Sequence, residues 1–308
     1  MADTDDLLLE NQGREEEFED RELQDEVLLR AAEQPSVCAD DAITLEQARA
    51  FSGRRGARLV FLMGEAQTGK TALVAMLWQH LLEEGGIGDH RLAGSRTAFG
   101  FERRAHWARL EARQPEARFP ATRFEDGAVL HLRVRRPDGR RVELLLSDLA
   151  GEQFERVREG RFLLDEVPWA RRADRFVVVV DAKALSLPGE SEVVATRAQR
   201  LLRALQVSTA VRDSARVAVV ITKADALNQA GEKALERHEP ALLAVARESD
   251  SEAICLRVAA VPGDGTPPQG LGELITWLCC DDRPHIATAV RDVAPQRSIA
   301  TFRASPPT

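Results

Sequence analysis

The chain has 308 residues, of which 44% are apolar and 30% charged, so it can bury a globular core and is not expected to be disordered as a whole. Its longest apolar runs, such as residues 176–180, fall far short of the roughly 20 residues of a membrane-spanning helix, and we expect neither a signal peptide nor a lipid anchor. The net charge of −8 is uneven, because residues 1–33 carry thirteen acidic side chains and three arginines, whereas the rest of the chain sums to +2. These figures exclude a transmembrane protein and a globally basic nucleic-acid binder.

The acidic segment is the first feature along the chain. Its apolar residues are spaced to form one stripe, which favours a partly helical, partner-binding arm over plain disorder, although both remain open. Residues 35–41 indicate a linker, and Thr44 with Gln47 forms a capping box that opens a short helix. We therefore expect an acidic extension and linker over 1–43.

From residue 57 onward, predicted strands and helices alternate. The strands are 58–63, 131–136, 141–148, 176–181, 217–222 and 253–260, and the helices are 71–84, 190–211, 230–247 and 271–278. The turn at 137–139, Pro-Asp-Gly, joins two strands as a hairpin. The sequence thus predicts a three-layer α/β domain over 44–281, with a mostly parallel sheet that has one antiparallel strand, and a short tail over 282–308.

Residues 64–71 match the pattern G-x-x-x-x-G-K-[ST] in full, between a predicted buried strand and a predicted helix. In such a loop the backbone N–H groups face a phosphate, at the positive N-terminus of the next helix. Lys70 would reach the β- and γ-phosphates, and the Thr71 hydroxyl would bind Mg²⁺. The predicted nucleotide-binding residues of this loop are Gly64, Glu65, Ala66, Gln67, Thr68, Gly69, Lys70, Thr71 and Ala72.

Two further motifs each follow a predicted strand. Asp148, in Asp-Leu-Ala-Gly, can hold Mg²⁺ through a water, while Gly151 can offer its N–H to the γ-phosphate. In the sequence Thr-Lys-Ala-Asp at 222–225, Asp225 can accept two hydrogen bonds from guanine that adenine cannot supply. Taken alone, the second motif would indicate only a solvated turn, but its order after the other two favours guanine binding.

Together these motifs resemble the Ras-like, translation-factor-related class of P-loop GTPases, whose G1, G3 and G4 motifs they match over about residues 57–281. The resemblance implies GTP or GDP as ligand with Mg²⁺, and a slow hydrolysis reaction. Thr222 stands where an asparagine is usual, with Lys223 and Asp225 completing the motif. The residues that the resemblance places in the base pocket after the last strand are Ala259 and Ala260, with the N–H of Ala260 near the guanine oxygen.

The sequence departs from that class in two places. The segment before the hairpin is long, so the Mg²⁺-contacting threonine is either Thr122, just before the antiparallel strand, or Thr97. Glu152 follows Gly151 where relatives have a water-positioning glutamine, and Gln153 comes one place later. The implied catalytic set is Lys70, Gly151, Glu152 and Gln153, and the implied metal set is Thr71, Thr122 and Asp148.

More narrowly, four short segments resemble the bacterial double-GTPase group. They are Ile-Thr-Leu-Glu-Gln-Ala-Arg at 43–49, Ala-Gly-Ser-Arg-Thr at 93–97, Phe-Glu-Arg-Arg at 101–104 and Arg-Arg-Ala-Asp at 171–174. This resemblance implies a role in multi-protein bacterial conflict or signalling systems.

The segment 91–123 has eight arginines and three glutamates, a net charge of +5. It is interpreted as the solvated face of a helix over 101–113 with an insert loop, or as a dock for the acidic arm or another anionic partner. We do not expect nucleic acid as a partner, because only 5% of residues are aromatic and the chain has no tyrosine.

We therefore expect a cytoplasmic GTPase that acts as a nucleotide-controlled switch or assembly factor, with protein partners bound through the arm or the switch regions and no membrane contact. A cytoplasmic location agrees with the four cysteines, which lack any C-x-x-C pattern and are interpreted as reduced thiols. A scaffold that binds GTP with little or no hydrolysis is the alternative. An ATPase ranks third and would require Asp225 to face solvent.

Overall fold

The protein is described from a computed structural model. It describes residues 36–38, 40–44, 47, 57–83, 85–113, 129–147, 149, 151–167, 169–209, 211–260 and 267–281. The acidic arm 1–33, the residues Thr122 and Asp148, and the tail 282–308 lie outside this part of the chain.

Eight strands and seven α-helices are described within these residues. The strands are β1 (Ser36–Val37), β2 (Arg58–Met63), β3 (Arg91–Ser95), β4 (Val129–Arg135), β5 (Arg141–Ser147), β6 (Arg175–Asp181), β7 (Arg216–Thr222) and β8 (Ile254–Val258). The helices are α1 (Lys70–Glu83), α2 (Ala98–Arg113), α3 (Gly151–Arg158), α4 (Ala182–Ser186), α5 (Ser191–Val207), α6 (Gln229–Ser249) and α7 (Leu271–Cys279).

The eight strands form one sheet in the order β1-β3-β4-β5-β2-β6-β7-β8. Strand β4 runs antiparallel to both of its neighbours, β3 and β5, and every other pair is parallel. The prediction of a mostly parallel sheet with one antiparallel strand is therefore confirmed.

Two hydrophobic cores lie on opposite faces of this sheet, which gives the three predicted layers. Alternate residues of β2 divide between them: Leu59, Phe61 and Met63 enter one core, and Val60 and Leu62 enter the other. Helices α3, α5 and α6 cover the first face, while α1, α2 and α7 cover the second. A strand buried on both faces needs a continuous apolar run, which is why β2 could be predicted with its exact limits.

Two strands, the helices α3 and α4, and the first turn of α2 were not predicted. Strand β3 lies inside the segment interpreted as an insert loop, and β1 lies within the predicted extension, where it pairs with β3 at the edge of the sheet. Helix α2 begins at Ala98 and is not only a solvated surface element, because Phe101 is fully buried and stacks on Trp78 of α1, with ring centroids 4.9 Å apart. The capping box is confirmed: Thr44 Oγ1 accepts from the Gln47 N–H, and Gln47 Oε1 accepts from the Thr44 N–H.

All four cysteines are unpaired thiols. Burial raises the pKa of Cys279 to about 12, and burial with the nearby Glu239 raises the pKa of Cys255 to about 12. Among the described helices, none combines the length and the apolar character that crossing a membrane requires.

Candidate nucleotide-binding site

The candidate site lies at the carboxyl edge of the sheet. Strands β5, β2, β6, β7 and β8 are neighbours in this order and are all parallel, so their carboxyl ends meet at one edge. Ligands of open α/β sheets bind at this edge, outside the ends of the strands. The three sequence motifs follow β2, β5 and β7, so the topology brings them together.

The phosphate loop joins β2 to α1, and its first glycine is held against the neighbouring strand β6. Gly64 has φ +154°, and a Cβ at this position would lie 2.7 Å from the Val179 carbonyl oxygen. A side chain would therefore displace the loop from the sheet. Gly69, Thr71 and Ala72 lie where the loop turns into the first turn of α1, and Ala66 is exposed at its outer side.

Lys70 is 7% exposed, and its ammonium group lies beneath the loop. Its Nζ donates to the carbonyl oxygens of Gly64, at 2.7 Å, and Glu65, at 2.8 Å. The Thr68 hydroxyl donates to the Glu65 carbonyl oxygen at 3.0 Å. These bonds curl the loop around a fixed positive charge, which is the arrangement that phosphate binding requires.

The motif after β7 is hydrogen-bonded directly to the phosphate loop. Thr222 is buried, and its hydroxyl donates to the Thr68 carbonyl oxygen at 2.6 Å. Lys223 Nζ donates to the Gln67 carbonyl oxygen at 2.9 Å. Both Gln67 (φ +62°) and Lys223 (φ +56°) have a left-handed backbone conformation, which residues other than glycine rarely adopt. Strained residues of this kind concentrate at functional sites.

Asp181, whose role the sequence left open, supports this junction from β6. Its Oδ2 accepts from Lys223 Nζ at 2.6 Å, and its Oδ1 accepts from the N–H groups of Lys183 and Ala184 at the start of α4. Asp181 is therefore a positioning residue that fixes Lys223. Sequence analysis could predict only that Asp181 ends a strand, because these contacts arise in the folded structure.

The base-reading candidates lie on the next two strand ends. Asp225 is exposed, in the turn Ala224–Ala226 that follows β7. After β8, Ala259 uses both its N–H and its carbonyl in a pair with Gln269, each at 3.1 Å. Of the two predicted alanines, Ala260 is therefore the candidate for a backbone contact to a base. The exposure of Asp225 is compatible with either purine.

The segment after β5 packs directly on the phosphate loop. The buried Ser147 ends β5, and its hydroxyl oxygen accepts from the Leu62 N–H at 3.0 Å, so the carboxyl end of β5 is held against β2. Gly151 begins α3, and a Cβ there would lie only 2.3 Å from the backbone nitrogen of Ala66. Phe154 anchors the helix by packing edge-on against Phe61 with centroids 5.9 Å apart.

The two side chains after Gly151 point in different directions. Glu152 is exposed, whereas Gln153 is 1% exposed. The Oε1 atom of Gln153 has no hydrogen-bond partner among the residues that the structure describes. Glu152 is therefore exposed but is not a glutamine, whereas Gln153 is a glutamine but is buried. Neither residue is a glutamine that faces solvent beside the phosphate loop.

One feature of the loop was not foreseen from the sequence. The Glu65 carboxylate forms ion pairs with Arg158, the last residue of α3, and with Arg197 of α5, the latter at 3.2 Å. The three residues are far apart in sequence and belong to no common motif, so only the fold brings them together.

Thr97 and Thr122 were alternatives for the metal-binding threonine. Thr97 is fully buried, and its hydroxyl oxygen accepts from the His131 N–H at 2.9 Å, so it belongs to the packing of β4. Thr122 and Asp148 lie outside the described residues. Of the three residues predicted to bind Mg²⁺, Thr71 is therefore the one that lies among the described residues. Its hydroxyl provides an oxygen, the type of ligand that Mg²⁺ prefers.

Several solved structures are similar to the chain over most of its described length. They include the elongation factor SelB from Methanococcus maripaludis in its apo form, with 17% identity, coverage of 72% of this chain and 33% of that chain, and a TM-score of 0.36. The same protein in complex with GppNHp has 17% identity, coverage of 74% of this chain and 34% of that chain, and a TM-score of 0.37. Another is the complex of the signal recognition particle receptor SRb-GTP with SRX from Chaetomium thermophilum, with 16% identity, coverage of 72% of this chain and 97% of that chain, and a TM-score of 0.43. The chain spans about a third of the length of the SelB chains, and all three likenesses are too distant to indicate a ligand or partner.

The sequence matches none of the curated proteins with which it was compared. The model of one protein family matches residues 58–278, which is more than half of the chain and contains all three motifs. On the strength of that match, the chain belongs to the Double-GTPase 2 family.

Proposed function

We propose that this protein is a guanine-nucleotide-dependent switch or assembly factor that binds GTP with Mg²⁺ and hydrolyses it slowly. Family membership supports a guanine nucleotide as the ligand. The observation that carries the proposal is the junction of two loops: Thr222 and Lys223, which precede Asp225, donate to the carbonyl oxygens of Thr68 and Gln67 in the phosphate loop. One nucleotide can therefore contact both loops.

The roles proposed for the chain's own residues follow from this placement. Lys70 and the N–H groups of the loop would hold the phosphates and stabilise the charge of the γ-phosphate, with Gly151 beside them. Thr71, together with Asp148 and Thr122, would hold Mg²⁺, which supplies charge neutralisation at the β- and γ-phosphates. Asp225 and Ala260 would read guanine.

Slow hydrolysis is supported by the two residues that follow Gly151. A glutamine that orients the attacking water must reach the γ-phosphate, whereas Gln153 is buried and Glu152 faces solvent as an anion. The same observation favours the second candidate function, a scaffold that binds GTP with little or no hydrolysis. The two differ in rate, and a measured single-turnover rate distinguishes them.

The test is direct. The purified chain is analysed for copurified nucleotide and is then titrated with fluorescent GTP, GDP and ATP analogues, with and without Mg²⁺. We expect GTP and GDP to bind at least tenfold more tightly than ATP. Equal affinity for ATP would contradict the guanine assignment, and binding of no nucleotide would contradict the proposal as a whole.

The biological setting is proposed on the family resemblance and on charge. We place the protein in the bacterial cytoplasm, in a multi-protein conflict or signalling system, with the GTPase domain over 44–281. The acidic extension over 1–43 and the switch regions are the proposed contacts for protein partners, and 282–308 is a tail. Deleting residues 1–33 should leave GTP affinity within a few fold while changing partner binding in a salt-dependent way. Loss of folding on deletion would instead make this segment part of the core.

A further inference from the structure

A segment that precedes the predicted GTPase domain is hydrogen-bonded to the edge of the sheet. We call residues 36–38 and 40–44 the strap; the sequence analysis interpreted part of this segment as a linker. The strap begins as β1 beside β3, where the Cys38 N–H donates to the Ser95 carbonyl oxygen at 2.8 Å. Near its other end Ile43 forms a bridge with Val129, the first residue of β4. The strap is therefore attached to the sheet at both ends.

Between these two attachments the strap covers the start of α2. The first N–H groups of a helix have no partner within the helix itself. Here the carbonyl oxygens of Cys38 and Asp40 accept from the N–H groups of Ala98, at 3.1 Å, and Gly100, at 3.4 Å. A Cβ on Gly100 would lie 1.8 Å from the Asp41 carbonyl oxygen, so a larger residue would push the strap away from the helix.

Ile43 lies at the edge of the sheet where the nucleotide is expected. Strand β4 runs antiparallel to β5, so Val129 lies opposite Ser147, the last residue of β5. The Ile43 N–H donates to the Val129 carbonyl oxygen at 2.8 Å, and the Val129 N–H donates back at 3.4 Å. The Ser147 hydroxyl in turn accepts from the Leu62 N–H of β2. One row of contacts, about three strand spacings or 15 Å long, therefore joins the strap to the strand that leads into the phosphate loop.

Ile43 also belongs to the hydrophobic core that holds α3. Its side chain is 5% exposed and lies in the same buried cluster as Leu149 and Phe154. These two residues flank Gly151, which begins α3 and packs on the phosphate loop. Close-packed cores transmit displacement, so the position of Ile43 affects where β5 ends and α3 begins.

From these contacts we infer that Ile43 is a positioning residue for the γ-phosphate side of the nucleotide site. It acts through Val129 and Ser147, which place the end of β5, and through the core beneath Gly151. GDP lacks the γ-phosphate that Gly151 is proposed to contact, so displacing the strap lowers affinity for GTP more than affinity for GDP. The inference rests on the proposed nucleotide function, and it extends the folded domain to include the strap.

The variant Gly100→Ala displaces the strap without changing any residue of the strap itself. Alanine favours a helix more than glycine does, so a loss of order reports the clash with the Asp41 carbonyl oxygen and not a weaker helix. Arg103→Gln is the milder variant and removes the ion pair in which Arg103 Nη1 binds Asp41 Oδ2 at 2.9 Å. The matched controls are Gly272→Ala, at a helical glycine with open space around it, and Arg237→Gln, which also removes an exposed ion pair.

The first measurement is hydrogen exchange of the full chain without nucleotide, followed by NMR. In Gly100→Ala we expect exchange at Ile43 and Val129 to be at least about tenfold faster, and the increase to extend to the Leu62 N–H. Arg103→Gln should give a smaller increase at the same positions and decides the test if Gly100→Ala does not fold. Unchanged exchange at Ile43 and Val129, or an increase that does not reach Leu62, would overturn the inference.

The second measurement is the affinity for fluorescent GTP and GDP in the presence of Mg²⁺. We expect Gly100→Ala to weaken GTP binding at least about tenfold more than GDP binding, and Arg103→Gln to shift this ratio in the same direction. A merely structural role would leave the ratio as it is in the controls. An unchanged ratio in a variant whose exchange at Val129 is faster would overturn the inference and leave the proposed function intact. A wild type that binds neither nucleotide would overturn the proposed function, and with it the assignment of Ile43 to the γ-phosphate.

Discussion

The Glu65 carboxylate, in the second position of the phosphate loop, is bound to the guanidinium of Arg158 at the far end of α3. The pair is mostly buried, with side-chain exposures of 20% for Glu65 and 11% for Arg158. Helix α3 is thus tied to the loop at both ends, since its first residue, Gly151, packs on Ala66. Any movement of α3 that accompanies a change of nucleotide must break or carry with it this ion pair.

We predict that Glu65→Gln and Arg158→Gln are coupled in a double-mutant cycle. Because the pair is shielded from solvent, the coupling energy should be about 1 kcal/mol, above the typical value of an exposed pair. Urea denaturation of the four proteins measures it, and hydrogen exchange over 151–158 should be faster in both single variants. Arg197→Gln is the control, because Arg197 binds the same carboxylate from a more exposed position. Additive effects would show that the ion pair does not hold α3.

The second prediction concerns the contact between Gly151 and the loop. In Gly151→Ala the new Cβ would lie 2.3 Å from Ala66 N and 2.7 Å from the Glu65 carbonyl carbon, so backbone must move. We expect affinity for fluorescent GTP to fall at least about tenfold, roughly 1.4 kcal/mol, and affinity for GDP to fall less. Gly272→Ala is a matched control, because a Cβ at this helical glycine meets no atom within 4 Å. Unchanged GTP binding in Gly151→Ala would contradict the close packing of α3 on the loop.

The third prediction tests the choice of base. Asp225→Asn should weaken GTP binding by at least about tenfold, since it removes a charged acceptor of two hydrogen bonds. The variant should gain affinity for xanthosine triphosphate, whose 2-oxo group suits an amide donor. Asp213→Asn, at another exposed aspartate, should change neither affinity. A loss of GTP affinity without any gain for the xanthine nucleotide would mean that Asp225 acts structurally.

The fourth prediction concerns acid stability. Burial alone would raise the pKa of Glu143, but hydrogen bonds from His131 and Arg133 outweigh it, so its pKa is lowered in the folded state. The ionised form therefore stabilises the fold at neutral pH, and this contribution is lost as the pH falls from about 4.3 through the lower folded-state pKa. Glu143→Gln should cost about 1–2 kcal/mol at pH 7 and progressively less in acid.

Urea denaturation at several pH values measures this difference. Glu236→Gln, at an exposed position of α6, should show little effect at any pH. If the destabilisation by Glu143→Gln were the same at acid and neutral pH, the charge of Glu143 would not be its cause.

The elements that could be predicted are those whose local pattern is sufficient. Strand β2 is an unbroken apolar run because both of its faces are buried, and the phosphate loop has Gly64 where the backbone must approach β6. Strand β3 could not be predicted, because its five residues include Gly94 and its apolar positions show no clear period. It becomes a strand by pairing with β4, to which it is joined only through a long segment.

The same distinction applies to the site. The spacing of the motifs identified the three loops, but the bonds that join them depend on which strands are neighbours. Thr222 could be expected to lie near a nucleotide, whereas its hydrogen bond to Thr68 requires the adjacency of β6 and β7 to the loop. The directions of Glu152 and Gln153 depend on where α3 begins, and the sequence does not define that residue.

The last prediction concerns the rate of hydrolysis. Related P-loop GTPases hydrolyse GTP unaided at about 10⁻⁴–10⁻² s⁻¹, with a glutamine that orients the attacking water. Here Gln153 is buried and Glu152 faces solvent, so the intrinsic single-turnover rate should lie within or below that range.

Gln153→Leu removes a buried oxygen that lacks a hydrogen-bond partner among the described residues, so stability should be kept or raised while the rate stays unchanged. Glu152→Gln should also change the rate little, because the side chain is exposed to solvent. A rate above about 1 s⁻¹ without a partner, or a large loss of rate in Gln153→Leu at unchanged stability, would show that Gln153 turns towards the γ-phosphate and that the chain holds a complete catalytic set.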